Sequence, residues 1–169
     1  MRTRLAPLAA SLVLAAGCAG FPSQPVRAAA DDREALTGLK EVKVAFDVHE
    51  GSAKALLGRL NVIDETRQSL VHQGVTPHFV IAFRGPATRL VQSDMEKVKP
   101  EDRPMAAQIA AKLKAMSAAP GVDSVEQCAV AIREQGTSAE KVVPGVKVVG
   151  NAWISLMAYQ SKGYAYIAP

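Results

Sequence analysis

Cysteine is scarce in this chain, and its scarcity limits the possible functions more than any other feature. Only Cys18 and Cys128 occur among the 169 residues. Cys18 lies in an N-terminal segment that precedes the main domain, so that domain holds a single thiol. An intramolecular disulfide framework is therefore excluded, although exported proteins often have one. The one unpaired thiol needs an explanation.

Aromatic residues are also few, at 5% of the chain against 49% hydrophobic residues overall. The core must therefore be built from aliphatic side chains and methionine, and the length suits one domain rather than two. No cluster of lysine and arginine interleaved with aromatics is present, which argues against a nucleic-acid partner. The formal charge of +4 falls to +2 without Arg2 and Arg4, and to +1 without Arg27.

Long hydrophobic runs are absent, and the longest apolar stretch lies at residues 5–16. A membrane-spanning helix needs about twenty apolar residues, so this stretch is too short to span a bilayer. It follows two positive charges, Arg2 and Arg4, as the apolar part of a secretion signal does. We predict a secretion signal and possible lipoprotein tether over residues 1–30, and a single domain over residues 31–169.

Two processing routes fit this N-terminal segment. The sequence LAAGC at residues 14–18 resembles a lipoprotein box, in which Cys18 is lipidated and becomes the new N-terminus. The three alanines at residues 28–30 fit ordinary signal peptidase cleavage. Both routes predict a periplasmic protein, and the first adds a lipid anchor at Cys18.

Short β-branched runs alternate with amphipathic helical stretches after residue 31. Strands are predicted at residues 42–48, 78–83, 122–128, 146–150 and 164–167. Helices are predicted at 52–74, 87–92, 105–116, 129–135 and 153–163. This alternation predicts right-handed crossovers and a mainly parallel sheet, in which ligands collect at the carboxyl ends of the strands.

Cys128 is the leading candidate for chemistry because it ends a predicted strand and precedes a predicted helix. The N–H groups and dipole at a helix start favour a thiolate, which accepts sulfane sulfur or attacks a disulfide. This hypothesis predicts a partly exposed Cys128. The alternative is an inert core cysteine, because cysteine is among the most buried residue types.

Two other strand ends carry candidate residues, and each has a structural alternative. His49 is interpreted either as a general base beside Cys128 or as a solvated turn residue capping the next helix. Arg84 is interpreted either as a group that binds an anion or stabilises a thiolate, or as a surface ion-pair partner. Asp47, within the first strand, is interpreted as a hydrogen-bonded structural residue.

The sequence predicts no metal site and no cofactor. His72 and His78 flank a turn without the spacing of a helical zinc pair. Dinucleotide, phosphate-loop and nucleophile-elbow motifs are missing. Several large side chains near the C-terminus suit a subunit interface wherever they stay exposed. They are Trp153, Met157, Tyr159 and Tyr164.

The order of several short segments resembles the DsrE/DsrF-like sulfur-relay family over residues 42–169, most of all its exported members. The matching segments are residues 46–48, Asn61, residues 79–85, 125–128, 144–149 and the Q-x-x-G-Y segment at 160–164. The resemblance implies a three-layer α/β/α, flavodoxin-like fold of five mainly parallel strands. It also implies a homo-oligomer, commonly a trimer or hexamer. In the relay members, the cysteine that matches Cys128 carries sulfur as a persulfide.

Two functions of different class follow. One is an exported sulfur-handling protein, in which Cys128 exchanges sulfane sulfur with a donor or acceptor protein or a small thiol, assisted by His49 or Arg84. The other is a non-catalytic oligomeric module that binds a small ligand or partner, with a structural Cys128. The sequence leaves open whether the protein is an enzyme. Exposure of the Cys128 sulfur distinguishes the two functions.

Overall fold

The computed structural model describes residues 31–169 of the chain. The predicted secretion signal and the candidate lipidation site at Cys18 lie outside the described residues. Five strands and four α-helices alternate in the described part. The strands are β1 (Glu41–Val48), β2 (Thr76–Phe83), β3 (Val122–Cys128), β4 (Lys147–Val149) and β5 (Ala165–Ile167). The helices are α1 (Ala53–His72), α2 (Arg103–Ser117), α3 (Ala129–Gln135) and α4 (Ala152–Ser161).

The five strands form one sheet in the order β4-β3-β2-β1-β5, and every neighbouring pair is parallel. The predicted three-layer α/β architecture with parallel strands is confirmed. Flavodoxin itself has the order 2-1-3-4-5. Here the last strand, rather than the second, takes the edge place beside β1. The final connection must therefore cross the whole sheet.

The first face of the sheet is covered by α1 and α2. As predicted, α1 begins after Ser52, whose side chain accepts a hydrogen bond from the Ala55 backbone N–H at 3.3 Å. Its buried residues recur at three- and four-residue spacing and pack on the aromatic and aliphatic side chains of β1 and β2. They include Leu56, Leu60 and Ile63, and this face holds most of the core.

The second face is covered mainly by α4, which contacts β1, β2 and β3. Only Ala152 and Leu156 of this helix are buried. They pack with small side chains of the central strands in a separate, smaller apolar cluster. One ten-residue helix thus shields this face of the sheet, and its own outer side is exposed.

Local differences from the predicted elements have simple causes. The helix predicted at 87–92 is a 3₁₀ helix over Gly85–Leu90, which starts where Pro86 ends the β2 hydrogen bonding. The last two strands have only three residues each and lie at the two edges of the sheet. The end of α3 at Gly136 is as predicted, and that glycine adopts φ +61°. None of the helices within residues 31–169 has the length and hydropathy of a membrane span.

Candidate functional site

The three residues predicted to share a site lie at the same edge of the sheet, on neighbouring strands. Ala82 on β2 is opposite Asp47 on β1 and Glu126 on β3. The Arg84 backbone N–H donates to the Val48 carbonyl at 3.0 Å, so the pairing of β1 and β2 continues past the strand ends. Each candidate site residue lies two positions after one of these three paired residues. They are His49, Arg84 and Cys128.

Cys128 itself is buried, and the prediction of a partly exposed thiol is wrong. Only 4% of the residue is exposed. The cause is the crossing of α4 over the second face, which places the helix on the cysteine. The side chains of the surrounding cluster are small or aliphatic. They are Ala45, Val80, Ala82, Ala131, Ala152 and Leu156.

Among the described residues, the Cys128 sulfur has one polar partner, a backbone N–H at the start of α4. The backbone N–H of Ala152, the first residue of α4, donates to Sγ at 3.3 Å. The next N–H, of Trp153, is bound by the Asn151 side chain at 2.9 Å. Between them, Cys128 and Asn151 satisfy two donors that the helix cannot satisfy itself. A sulfur so placed anchors α4 to β3.

Arg84 is paired with a carboxylate, as its structural alternative predicted, but that carboxylate is buried rather than on the surface. Its Nε and Nη2 donate to the two carboxylate oxygens of Asp47, each at 2.7 Å. Asp47 is only 2% exposed. The guanidinium therefore neutralises a buried carboxylate on the neighbouring strand in bidentate geometry. The prediction of a structural, hydrogen-bonded Asp47 is confirmed.

The electrostatics of this pair favour its charged form. Burial by itself raises the pKa of Asp47, but the hydrogen bonds from Arg84 and Tyr166 outweigh burial and hold that pKa below its usual range. The hydrogen bonds to Asp47 raise the pKa of Arg84. The Tyr166 hydroxyl donates to Asp47 Oδ2 at 2.6 Å, and this bond raises the pKa of Tyr166. Asp47 thus ties β1 to β2 and to β5.

His49 remains on the surface beside this pair. It does not cap α1, since Ser52 does so. Its Cβ lies 3.7 Å from the position that a Cβ on Gly85 would take, so the two strand ends approach closely there. A positive charge on His49 adds a small contribution that lowers the pKa of Asp47. His49 is therefore a solvated neighbour of the site.

A second buried carboxyl group, Glu126, lies on the same face of β3 as Cys128. It accepts hydrogen bonds from three hydroxyl groups, those of Ser124, Ser155 and Tyr159. Ser155 and Tyr159 belong to α4, so the Glu126 carboxyl group binds α4 to strand β3. Sequence patterns alone did not single out Glu126 as part of a cluster. The i, i+4 spacing of Ser155 and Tyr159 was the signal that could have revealed the cluster.

The large side chains predicted for an interface divide into two groups. Trp153 and Met157 are exposed by 61% and 58%, and Ile154 between them by 62%. Trp153 also lies against the Arg84 guanidinium, 5.8 Å from ring centroid to Cζ. Tyr159 and Tyr164 instead pack edge to face at 5.0 Å. Burial and the bond to Asp123 raise the pKa of Tyr164 to about 12.

No group of three or more histidine, cysteine and acidic side chains converges within residues 31–169. The two histidines considered for a metal site do not meet a common partner there. His78 Nδ1 lies 3.2 Å from the Asp123 carboxylate, while His72 ends α1.

The fold and this edge define a small parallel α/β domain with a buried thiol. No family model matches the chain. A curated relative, an uncharacterised protein of Aquifex aeolicus, is 30% identical over 126 residues, which cover 75% of this chain and 55% of that protein. The chain therefore spans about half the length of that relative.

A solved structure also resembles the chain. It is a protein of unknown function from Methanobacterium thermoautotrophicum, with a TM-score of 0.54 and 18% sequence identity. The match covers 76% of this chain and 99% of that one. At this identity the likeness shows the fold alone. The resemblance to the DsrE/DsrF-like family stays a prediction.

Proposed function

We propose that this chain is a non-catalytic, self-associating α/β module that binds a small ligand or a partner at the carboxyl ends of its strands. The observation that carries the proposal is the burial of the Cys128 sulfur among aliphatic side chains, with the Ala152 N–H as its polar contact. A thiol enclosed in this way holds α4 in place. The exposed parts of the same edge, around Trp153 and His49, are the surface left for binding.

Labelling with a disulfide reagent at pH 7.5 tests the role of Cys128. In a full chain carrying Cys18→Ser, we expect the native thiol to react roughly 100-fold slower than in denaturant, because α4 must open first. The matched control adds Lys114→Cys on the exposed side of α2, which should label rapidly in the native protein. Native labelling of Cys128 at the control's rate would overturn the structural role.

A second candidate function, a sulfane-sulfur carrier, is favoured by one observation: the sulfur ends its strand and accepts a helix N–H. Such a donor stabilises negative charge on sulfur. The Cys128 thiolate would attack the outer sulfur of a persulfide donor, R–S–SH. The donor's S–S bond breaks, RS⁻ leaves, and Cys128 becomes a persulfide.

Intact-mass measurement after treatment with a persulfide donor separates the two candidates. A gain of roughly 32 Da, the mass of one sulfur atom, that disappears with Cys128→Ser supports the carrier. An unchanged mass supports the binding module. We also propose export to the periplasm. The intact mass of protein isolated from cells shows where the N-terminus was cut and whether Cys18 bears lipid.

Self-association is proposed through the outer side of α4. Trp153, Ile154 and Met157 form an exposed apolar strip, of the composition found in the centre of interfaces. We expect Ile154→Lys to reduce an oligomer to a monomer of 17.8 kDa for the full chain, measured by light scattering after size exclusion. Val71→Lys, at an exposed position on α1, is the control that should keep the oligomer. An oligomer that survives Ile154→Lys contradicts this interface.

A further inference from the structure

A polar cavity of about 370 Å³ lies at the carboxyl ends of β1 and β2, on the side of α1. Gly51 and Pro86, which follow the two strands, form part of its wall. An alanine at Gly51 would place Cβ 2.7 Å from Pro86 Cβ, so the two connections are in close contact. Its volume falls in the range of small-molecule sites.

Three basic side chains line this cavity, and the remaining charge in its wall is one carboxylate. The cations are Arg89, Lys97 and Lys99, and the carboxylate is Asp102. Within residues 31–169, none of the three cations has a carboxylate within ion-pair distance. The wall therefore has a net charge of +2, with like charges facing one space.

The loop that carries two of these cations is fixed rather than free. Val98, between Lys97 and Lys99, is buried, and its N–H donates to the Met95 carbonyl at 3.2 Å. The Arg103 side chain donates to the Val98 carbonyl at 3.4 Å. Burying the central residue of this tripeptide directs the flanking lysines to the outside of the loop. Both line the cavity.

Neighbouring carboxylates do not neutralise this charge. Asp94 and Glu96 both bind Lys141, at 2.7 and 3.1 Å. Lys97 lies within electrostatic reach of Asp94, but that carboxylate already has its ion pair. The first turn of α1, which opens at the cavity, contains no acidic residue. Just before it, the Glu50 carboxylate accepts a hydrogen bond from the Ser52 backbone N–H at 2.7 Å, so this carboxylate also has its own partner. The positive potential of the cavity is therefore available to a ligand.

We propose that this cavity binds a tetrahedral oxyanion, either free or as the charged group of a small organic molecule. A doubly charged oxyanion matches the net charge of the wall and offers enough oxygens for the guanidinium and both ammonium groups. Asp102 accepts a hydrogen bond from a hydroxyl group of an organic ligand. The inference rests on the proposed binding function and gives that function a ligand class.

Calorimetric titration of the full chain tests the site, with inorganic phosphate, sulfate and glycerol phosphate as probes at constant ionic strength set by chloride. We expect saturable binding that weakens roughly tenfold in Arg89→Gln and in Lys97→Gln. Lys114→Gln, which removes an equal charge far along α2, should leave affinity unchanged. Tighter binding of glycerol phosphate identifies an organic ligand, and equal binding identifies the free oxyanion.

Two results overturn the inference: no binding beyond that of chloride, or an equal loss of affinity in Lys114→Gln. The thermal midpoint without ligand verifies that each variant is folded, as expected for exposed side chains. If the oxyanions do not bind and native Cys128 does not react with the thiol reagent, the oxyanion site is rejected and the proposed binding module is kept. If native Cys128 is labelled rapidly while the oxyanions still bind, the structural role of Cys128 is rejected and the oxyanion site is kept.

Discussion

Replacing Asp47 with asparagine is expected to reduce the free energy of unfolding by about 3 kcal/mol at pH 7, because it leaves the Arg84 guanidinium without its bidentate partner. Asp47 Oδ1 accepts from Arg84 Nε, and Oδ2 accepts from both Arg84 Nη2 and the Tyr166 hydroxyl. An asparagine offers one acceptor oxygen and presents an NH₂ group where the second is needed. Denaturant unfolding followed by circular dichroism measures the loss.

The pH dependence of that loss follows from the pKa of Asp47, which is lower in the folded chain than in the unfolded one. A lowered pKa adds stability that is present above the unfolded value, about 3.9, and is lost as the pH falls through the folded value. The difference between wild type and Asp47→Asn should therefore be constant above about pH 5 and shrink below about pH 4.

Glu41→Gln is the matched control for this variant. Glu41 begins the same strand, and its carboxylate binds Lys43 at 2.9 Å on the surface. Exposed pairs of this kind add little to stability. A Glu41→Gln variant as unstable as Asp47→Asn, or an Asp47→Asn variant with full stability at pH 7, would show that the buried pair does not hold β1 to β2.

The layers of this fold follow from local patterns that survive in the structure. The continuous apolar run of β2 predicts a central strand covered on both faces, and Phe79 and Phe83 are indeed fully buried. The spacing of Leu56, Leu60 and Ile63 predicts the buried side of α1. These patterns are readable because burial acts on each strand or helix separately.

The order of the strands is not determined by local sequence patterns, and the burial of Cys128 depends on that order. The sequence placed this residue correctly at a strand end, before a helix. Whether the Cys128 thiol is exposed to solvent depends on which strand β5 pairs with. Because β5 joins β1 instead of β4, α4 crosses the second face and buries the sulfur. That pairing joins Val44 to Ala165, positions that are both far from Cys128 in the chain.

Contacts between charged residues were missed for a similar reason. Asp47 and Arg84 were each noted separately, but they are separated by 37 positions in the chain. They meet because β1 and β2 pair in a register that brings one strand end beside the other. The functional consequence is that Arg84, a natural anion-binding candidate, is neutralised. Three cations without an ion pair among the described residues, Arg89, Lys97 and Lys99, line the nearby cavity instead.

The stability of α4 and the inaccessibility of Cys128 should be lost together when Glu126 is replaced with leucine. Three hydroxyl groups donate to this buried carboxyl group, and two of them belong to α4. Leucine leaves all three without an acceptor, at a cost of about 3 kcal/mol. We also expect the native labelling rate of Cys128 to rise roughly tenfold or more, because α4 opens more often.

Glu126→Gln is the control for this prediction, since its amide oxygen still accepts two hydrogen bonds. It should lose less stability than Glu126→Leu and change the labelling rate less. Tyr159→Phe removes one donor and should lie between wild type and Glu126→Leu. If Glu126→Leu unfolds more easily while native Cys128 stays as slow to label as before, α4 does not control access to the sulfur. Access would then depend on another element, and the anchoring role assigned to Glu126 would fail.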